Sequence, residues 1–158
     1  MRRMMRSIGL TVNEEKTCIR RLPDETVHFL GYTIGRCHSA YTGRTYIGTR
    51  PSRPSVQRVF RSVSDLTRRT TCGRDVQDVV GDLNRLLRGW ANYFCLGPVG
   101  RAYRAVDTHV TTRLRRWLCR KHKQRGRGTA RYPDKHLYEA YGLIRLPVLT
   151  RSFPWAKA

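Results

Sequence analysis

The chain has 158 residues and a formal net charge of +21, from 32 Lys and Arg against 11 Asp and Glu, with 39% hydrophobic residues. That length fits one ordinary domain, or a small domain with appended pieces, and a charge of this size attracts polyanions, so nucleic acid is the default partner and an anionic membrane surface the weaker one. No run approaches the roughly 18 consecutive apolar residues of a spanning helix, and the five cysteines (18, 37, 72, 95 and 119) include no C-x-x-C pair, which argues against a zinc site or disulfide framework and suits a reducing cytoplasm.

In chain order, Met1 to Leu10 is basic and lacks the apolar core and cleavage site of a signal peptide, so it reads as the end of a helix that stops at Gly9. Thr17 to Leu22 and Val27 to Ile34 read as two strands of a hairpin, with Pro23-Asp24-Glu25 as its turn. Residues 36–54 form a connection in which a short strand pair around Tyr41 and Tyr46 turns at Gly43. Arg50-Pro51-Ser52-Arg53-Pro54-Ser55 then breaks the chain and starts a helix, with Ser52 or Ser55 as its cap.

Three amphipathic helices follow. The first, about 55–69, points Val56, Val59, Phe60, Val63 and Leu66 inward, and Thr70 to Gly73 ends it. The second starts near Arg74 or Asp75 and has apolar residues at 76, 79, 80, 83, 87, 90, 91 and 94. Its other face carries Arg85, Arg88 and Asn92 beside Gly89. A glycine inside a helix is disfavoured by about 1 kcal/mol against alanine, so another helix or a phosphate is expected to approach the backbone there. Asp75, Asp78 and Asp82 share a side of this helix and read as charges favoured by its positive end.

Leu96-Gly97-Pro98 separates the second helix from the third, about 99–123, whose stripe is Val99, Ala102, Tyr103, Val106, Val110, Leu114, Trp117 and Leu118. Arg101, Arg104, Arg115, Arg116 and Lys123 lie on its opposite side. The helix runs into a basic tract containing Arg120, Lys121, Lys123, Arg125 and Arg127, and the two together suggest a continuous phosphate-binding surface. From Tyr132 to Trp155 the tail reads as a short helix and an apolar strap packed back on the bundle. Short connections between amphipathic helices predict a small antiparallel bundle, giving an α+β, mainly α chain. The histidines at 28, 38, 109, 122 and 136 are scattered, so neither zinc binding nor nucleophilic catalysis has a constellation.

The run Leu83-Asn84-Arg85-Leu86-Leu87-Arg88-Gly89-Trp90-Ala91-Asn92-Tyr93-Phe94 closely resembles the signature of the maturase-specific domain of group II intron reverse transcriptases. A second stretch, Gly9 to Thr17 (Gly-Leu-Thr-Val-Asn-Glu-Glu-Lys-Thr) followed by Phe29-Leu30-Gly31-Tyr32, resembles the last blocks of the same family's polymerase palm. The resemblance implies a palm remnant at 1–50, a thumb-like maturase bundle at 51–128 and a closing tail at 129–158. It also implies that Lys16 corresponds to a lysine near the incoming nucleotide's phosphates, although a surface lysine at a strand start is the simpler reading in this chain.

The family's polymerase chemistry needs magnesium held by a Tyr-x-Asp-Asp block ahead of this stretch, and the dispersed aspartates here supply none. The implied function is therefore RNA binding by a maturase portion that helps group II intron RNA fold and splice, without a cofactor of its own. Magnesium is expected for the intact polymerase and for the intron ribozyme. Two alternatives stand beside this reading. One is the thumb of an active RNA-directed DNA polymerase completed by a missing N-terminal reverse transcriptase portion, and the other is a truncated fragment without function.

Overall fold

The computed structural model describes residues 2–9, 19–39 and 42–149. It is mainly helical with one small sheet, an α+β chain. A short helix α1 (Arg2–Ser7) is followed by strands β1 (Val27–Phe29), β2 (Tyr32–His38) and β3 (Thr45–Pro51), which form an antiparallel sheet in the order β1-β2-β3. Helix α2 (Arg53–Leu66), a 3₁₀ turn (Arg69–Gly73), α3 (Val76–Tyr93) and α4 (Gly100–Lys121) form the body. The tail adds α5 (Asp134–Glu139) and α6 (Leu146–Leu149).

The first hairpin sits one step further along the chain than expected. Among the described residues 19–22 there is no strand, and the rest of the expected strand from Thr17 lies outside them. The turn at Pro23-Asp24 exists, but among the described residues it joins no strand pair. It is closed by Glu25, whose amide donates to the Arg21 carbonyl at 2.9 Å and whose carboxylate accepts from the Arg21 amide at 2.8 Å. The expected strand Val27 to Ile34 is instead folded in two at Leu30-Gly31, with Phe29 paired to Tyr32. Leu30 (φ 46°) and Gly31 (φ 80°) are both left-handed, as a two-residue hairpin turn of matching twist requires.

Leucine rarely accepts that conformation. Tertiary bonds hold it: the Tyr93 hydroxyl donates to the Leu30 carbonyl at 2.9 Å, and the Gly31 carbonyl accepts from the Ser52 amide at 2.8 Å and the Ser55 hydroxyl at 2.9 Å. The second hairpin pairs β2 with β3 from Tyr32 opposite Pro51 to His38 opposite Thr45, with Gly43 just ahead of β3, while Tyr41 lies outside the described residues.

The helices form where the apolar spacing places them. Ser52 caps α2 by accepting from the Ser55 amide, and Asp75 caps α3 by accepting from the Gln77 amide at 2.7 Å. Val63, Val79, Leu83, Leu87, Tyr103, Val106, Leu114, Trp117 and Leu118 are fully buried between α2, α3 and α4. Each such aliphatic side chain contributes about 1.5–3 kcal/mol relative to exposure. The tail completes the core with Leu137, Leu143 and Leu146. Tyr32 adds to the joins that Tyr93, Ser52 and Ser55 make between sheet and body: its hydroxyl donates to the Tyr93 carbonyl at 2.5 Å and its ring packs on Phe94. Gly97, between α3 and α4, is pressed so closely on β3 that a Cβ would overlap the Thr49 carbonyl.

Candidate nucleic-acid interface

Helix α3 has four distinct sides. Its apolar stripe faces α4, as the Trp90 and Tyr103 rings show at 5.5 Å between centroids. On one flank Asn84 binds the tail, and on the other Leu86 and Tyr93 meet α2 and the first hairpin. At about 100° per residue, the remaining side carries Gly81, Arg85, Arg88, Gly89 and Asn92, and it points away from α4. All five are exposed.

Arg85 donates to Asp82 at 2.8 Å, and Arg74 reaches the same carboxylate at 2.8 Å from the other side. These two guanidiniums hold the Asp82 carboxyl below the usual carboxylate range. Arg88 and Asn92 have no partner among the described residues. Apart from Gly89, its chain neighbours and the backbone of its own helix, no atom of the described residues lies within 4 Å of where a Cβ on Gly89 would stand. The close approach expected at that glycine is therefore not made by any described part of this chain.

The third-helix arginines divide differently. Arg101, Arg116 and Arg120 are exposed on the outer side of α4, and Arg104 is exposed beside Asp107, Asp134 and Glu139. Arg101 meets Arg36, Arg50 and Arg53 around a basic cleft of about 590 Å³ between the sheet and the starts of α2 and α4. Lys123, Arg125 and Arg127 are exposed in the loop after α4. The exposed cations of the predicted set thus lie on the outer side of α3, on α4 and in the loop that follows α4.

Arg115 and Lys121 are half-buried and turn back onto the fold. The Arg115 side chain is 11% exposed, bonds the Tyr132 carbonyl at 2.8 Å and pairs with Asp134. The Lys121 ammonium donates to the carbonyls of Cys72 at 3.2 Å and Arg74 at 2.7 Å and lies over the Trp117 ring. Both fasten loops to α4 and are removed from the set of outward cations. Lys16 lies outside the described residues.

Several residues that sequence spacing left unassigned organise the site. Asn84 accepts from the Ile144 amide at 2.9 Å and donates to the Gly142 carbonyl at 2.8 Å, so this asparagine of the signature holds the tail. Asp107 does the same from α4, accepting from the Tyr138 hydroxyl at 2.6 Å and the Leu146 amide at 3.1 Å. Burial, with help from Asp107, pushes the Tyr138 hydroxyl far up, so it stays a donor. Arg113 caps the end of α2 by donating to the Ser64 and Thr67 carbonyls at 3.0 and 3.1 Å. Their partners lie 31 to 60 residues away, and no local pattern points to them.

A second cleft, about 490 Å³, opens between the first hairpin turn, α2 and α3, with Arg58 at its lining. Trp90 walls it, and the buried indole N–H of Trp90 has no acceptor among the described residues. An unsatisfied buried donor costs about 1–3 kcal/mol. Among the described residues, no three His, Cys, Asp or Glu side chains are grouped to hold a metal ion, and no helix is long and apolar enough to cross a membrane.

No curated protein matches the chain. The family model of the group II intron maturase-specific domain matches residues 56–133, a span that runs from α2 through α3 and α4 to the edge of α5. Residues 56–133 are thus similar to the maturase-specific domain of group II intron proteins, a match that supports the C-terminal portion of a group II intron maturase.

Proposed function

We propose that this chain binds the structured RNA of a group II intron and helps it reach its splicing-competent fold. The observation that carries the reading is the outer side of α3, where Arg85, Arg88 and Asn92 surround the bare backbone of Gly89 on a helix anchored by its opposite stripe. Guanidiniums and an amide on a rigid helix suit phosphate and 2′-hydroxyl groups, and the absent side chain at 89 leaves room for a sugar-phosphate backbone to come close. Arg101, Arg104, Arg116, Arg120, Lys123, Arg125 and Arg127 supply a second basic surface for another RNA segment. The RNA performs the splicing chemistry, and the magnesium for that chemistry belongs to the RNA.

Filter binding to a group II intron RNA at several salt concentrations tests the proposal. The expected result is binding that weakens steeply with salt and exceeds binding to an unrelated structured RNA of equal length. Equal affinity for both RNAs, or no salt response, removes it.

A second reading is favoured by the first hairpin, where Phe29 and Leu30 are 60% and 66% exposed. Such apolar exposure suits contact with a polymerase portion carried elsewhere, making this chain the thumb of an RNA-directed DNA polymerase. Primer extension by the chain together with an upstream reverse transcriptase segment, against each alone, tests it.

A further inference from the structure

The cleft of about 590 Å³ between the sheet and the starts of α2 and α4 is lined by arginines from four elements: Arg36 of β2, Arg50 of β3, Arg53 of α2 and Arg101 of α4. Arg36 reaches Asp24 at 3.4 Å. The other three are exposed, and their side chains have no partner among the described residues. Among the described residues no carboxylate lines the cleft. Unpaired like charges gathered around one concavity work against the compact state until an anion neutralises them.

The backbone adds to the same field. Helices α2 and α4 both begin at the cleft, with Arg53 opening α2 and Arg101 in the first turn of α4. No side chain caps α4, so the positive end of that helix faces the site with its first amides free of a cap. The charge also continues past the rim. At about 100° per residue, Arg104 and Arg116 fall within about 60° of Arg101 around α4 and extend the line of cations over roughly 22 Å. Both are exposed.

The rest of the lining decides what kind of anion fits. It includes the small apolar residues Val56, Pro98, Ala102 and Ala105, and no Phe, Tyr or Trp ring. A base therefore has no platform to stack on, whereas phosphates match the guanidinium forks. A line of cations running on from the cleft suits a polymer that carries a charge at every residue better than an isolated carboxylate. We infer that this cleft holds the sugar-phosphate backbone of one RNA segment without reading its bases, and that the segment continues along Arg104 and Arg116. The inference rests on the RNA-binding reading above and names the part of the RNA that is gripped here.

The test uses the full chain with single-stranded uridine and cytidine oligonucleotides of equal length. Arg50→Ala and Arg101→Ala are each expected to lower affinity about fourfold at about 0.15 M salt and to reduce the slope of log affinity against log salt by about 0.7. The loss is expected to be equal for both oligonucleotides, with the melting temperature unchanged. Arg69→Ala, an exposed position in the 3₁₀ turn beyond the far end of α2, controls for loss of charge alone and should change affinity less than twofold. In ¹⁵N spectra the backbone amides of Arg53, Arg101 and Ala102 are expected to shift when either oligonucleotide binds. An Arg101→Ala effect no larger than that of Arg69→Ala, losses that differ between the two oligonucleotides, or unmoved amides in the RNA-bound chain overturn the inference. Polyglutamate that shifts these amides where RNA does not assigns the cleft to an acidic protein segment and overturns it too. If intron RNA is still preferred over unrelated RNA in those cases, the inference falls alone. If the cleft variants behave as expected but intron RNA is not preferred, the proposed function falls and the cleft assignment stands. Absence of binding to every RNA overturns both.

Discussion

Asn84 grips Ile144 across 60 residues of sequence: the side-chain oxygen accepts the Ile144 amide at 2.9 Å, while its nitrogen donates to the Gly142 carbonyl at 2.8 Å. The two asparagines of the signature therefore have opposite duties. Asn84 closes the tail onto α3, whereas Asn92 faces outward. Asn84→Ala leaves a partly buried amide and a carbonyl unpaired and is expected to lose about 1–3 kcal/mol in urea unfolding. Faster hydrogen exchange at the Ile144 amide should accompany it. Asn92→Ala should stay within about 0.5 kcal/mol.

Gly89 separates stability from binding. Its position is helical and open, so Gly89→Ala should stabilise the chain by roughly 0.4–1 kcal/mol, read as a higher urea midpoint. The same methyl projects among Arg85, Arg88 and Asn92, where the RNA backbone is proposed to approach. Affinity for intron RNA should fall as stability rises. A variant that is more stable and binds equally well would show that no close approach occurs there.

Arg113 and Arg116 are three residues apart on α4 and should behave differently. Arg113 bonds two carbonyls at the end of α2 and, through Nε, the Thr67 hydroxyl at 3.1 Å. Arg113→Ala should cost about 2 kcal/mol of stability, since it strips a charged cap from a helix end. Arg116 is exposed, and its removal should change the unfolding free energy by less than about 0.5 kcal/mol.

His109 makes the α2–α4 contact sensitive to acid. Its ring stacks on Phe60 at 4.2 Å and its Nε2 lies 3.2 Å from both the Phe60 carbonyl and the Ser64 hydroxyl. Burial lowers its pKa below the ordinary 6.5, Arg113 and Arg116 lower it further, and the bond to the Phe60 carbonyl partly opposes them. The unfolded chain then binds the proton more tightly than the folded one. The stability held by the neutral ring is complete above about pH 6.5 and is lost as pH falls through that value towards the folded pKa. Urea midpoints for the wild type should drop between about pH 7.5 and pH 5.5 by more than those of His109→Gln.

The helices were legible because their stripes are strong: every apolar position proposed for α3 from Val79 to Phe94 is buried. The first hairpin was not. Pro23-Asp24 is the louder local turn signal, while Leu30-Gly31 puts leucine in a left-handed conformation that Tyr93, Ser52 and Ser55 stabilise from other elements. The same limit applies to the site. Spacing placed Arg88 and Asn92 outward, but it grouped Arg115 and Lys121 with them, although loop carbonyls fold back onto both. An exposed cation and a cation holding a distant carbonyl have the same sequence periodicity, and only the path of the loops separates them.

The central claim is that the outer side of α3 meets RNA phosphates. The most direct measurement is the slope of log affinity against log salt for intron RNA, compared between the wild type and Arg88→Ala. Loss of one phosphate contact should lower affinity and reduce the slope by about 1, with the melting temperature unchanged because Arg88 is exposed and has no partner among the described residues. An unchanged slope and affinity, or a large drop in melting temperature, would contradict the account.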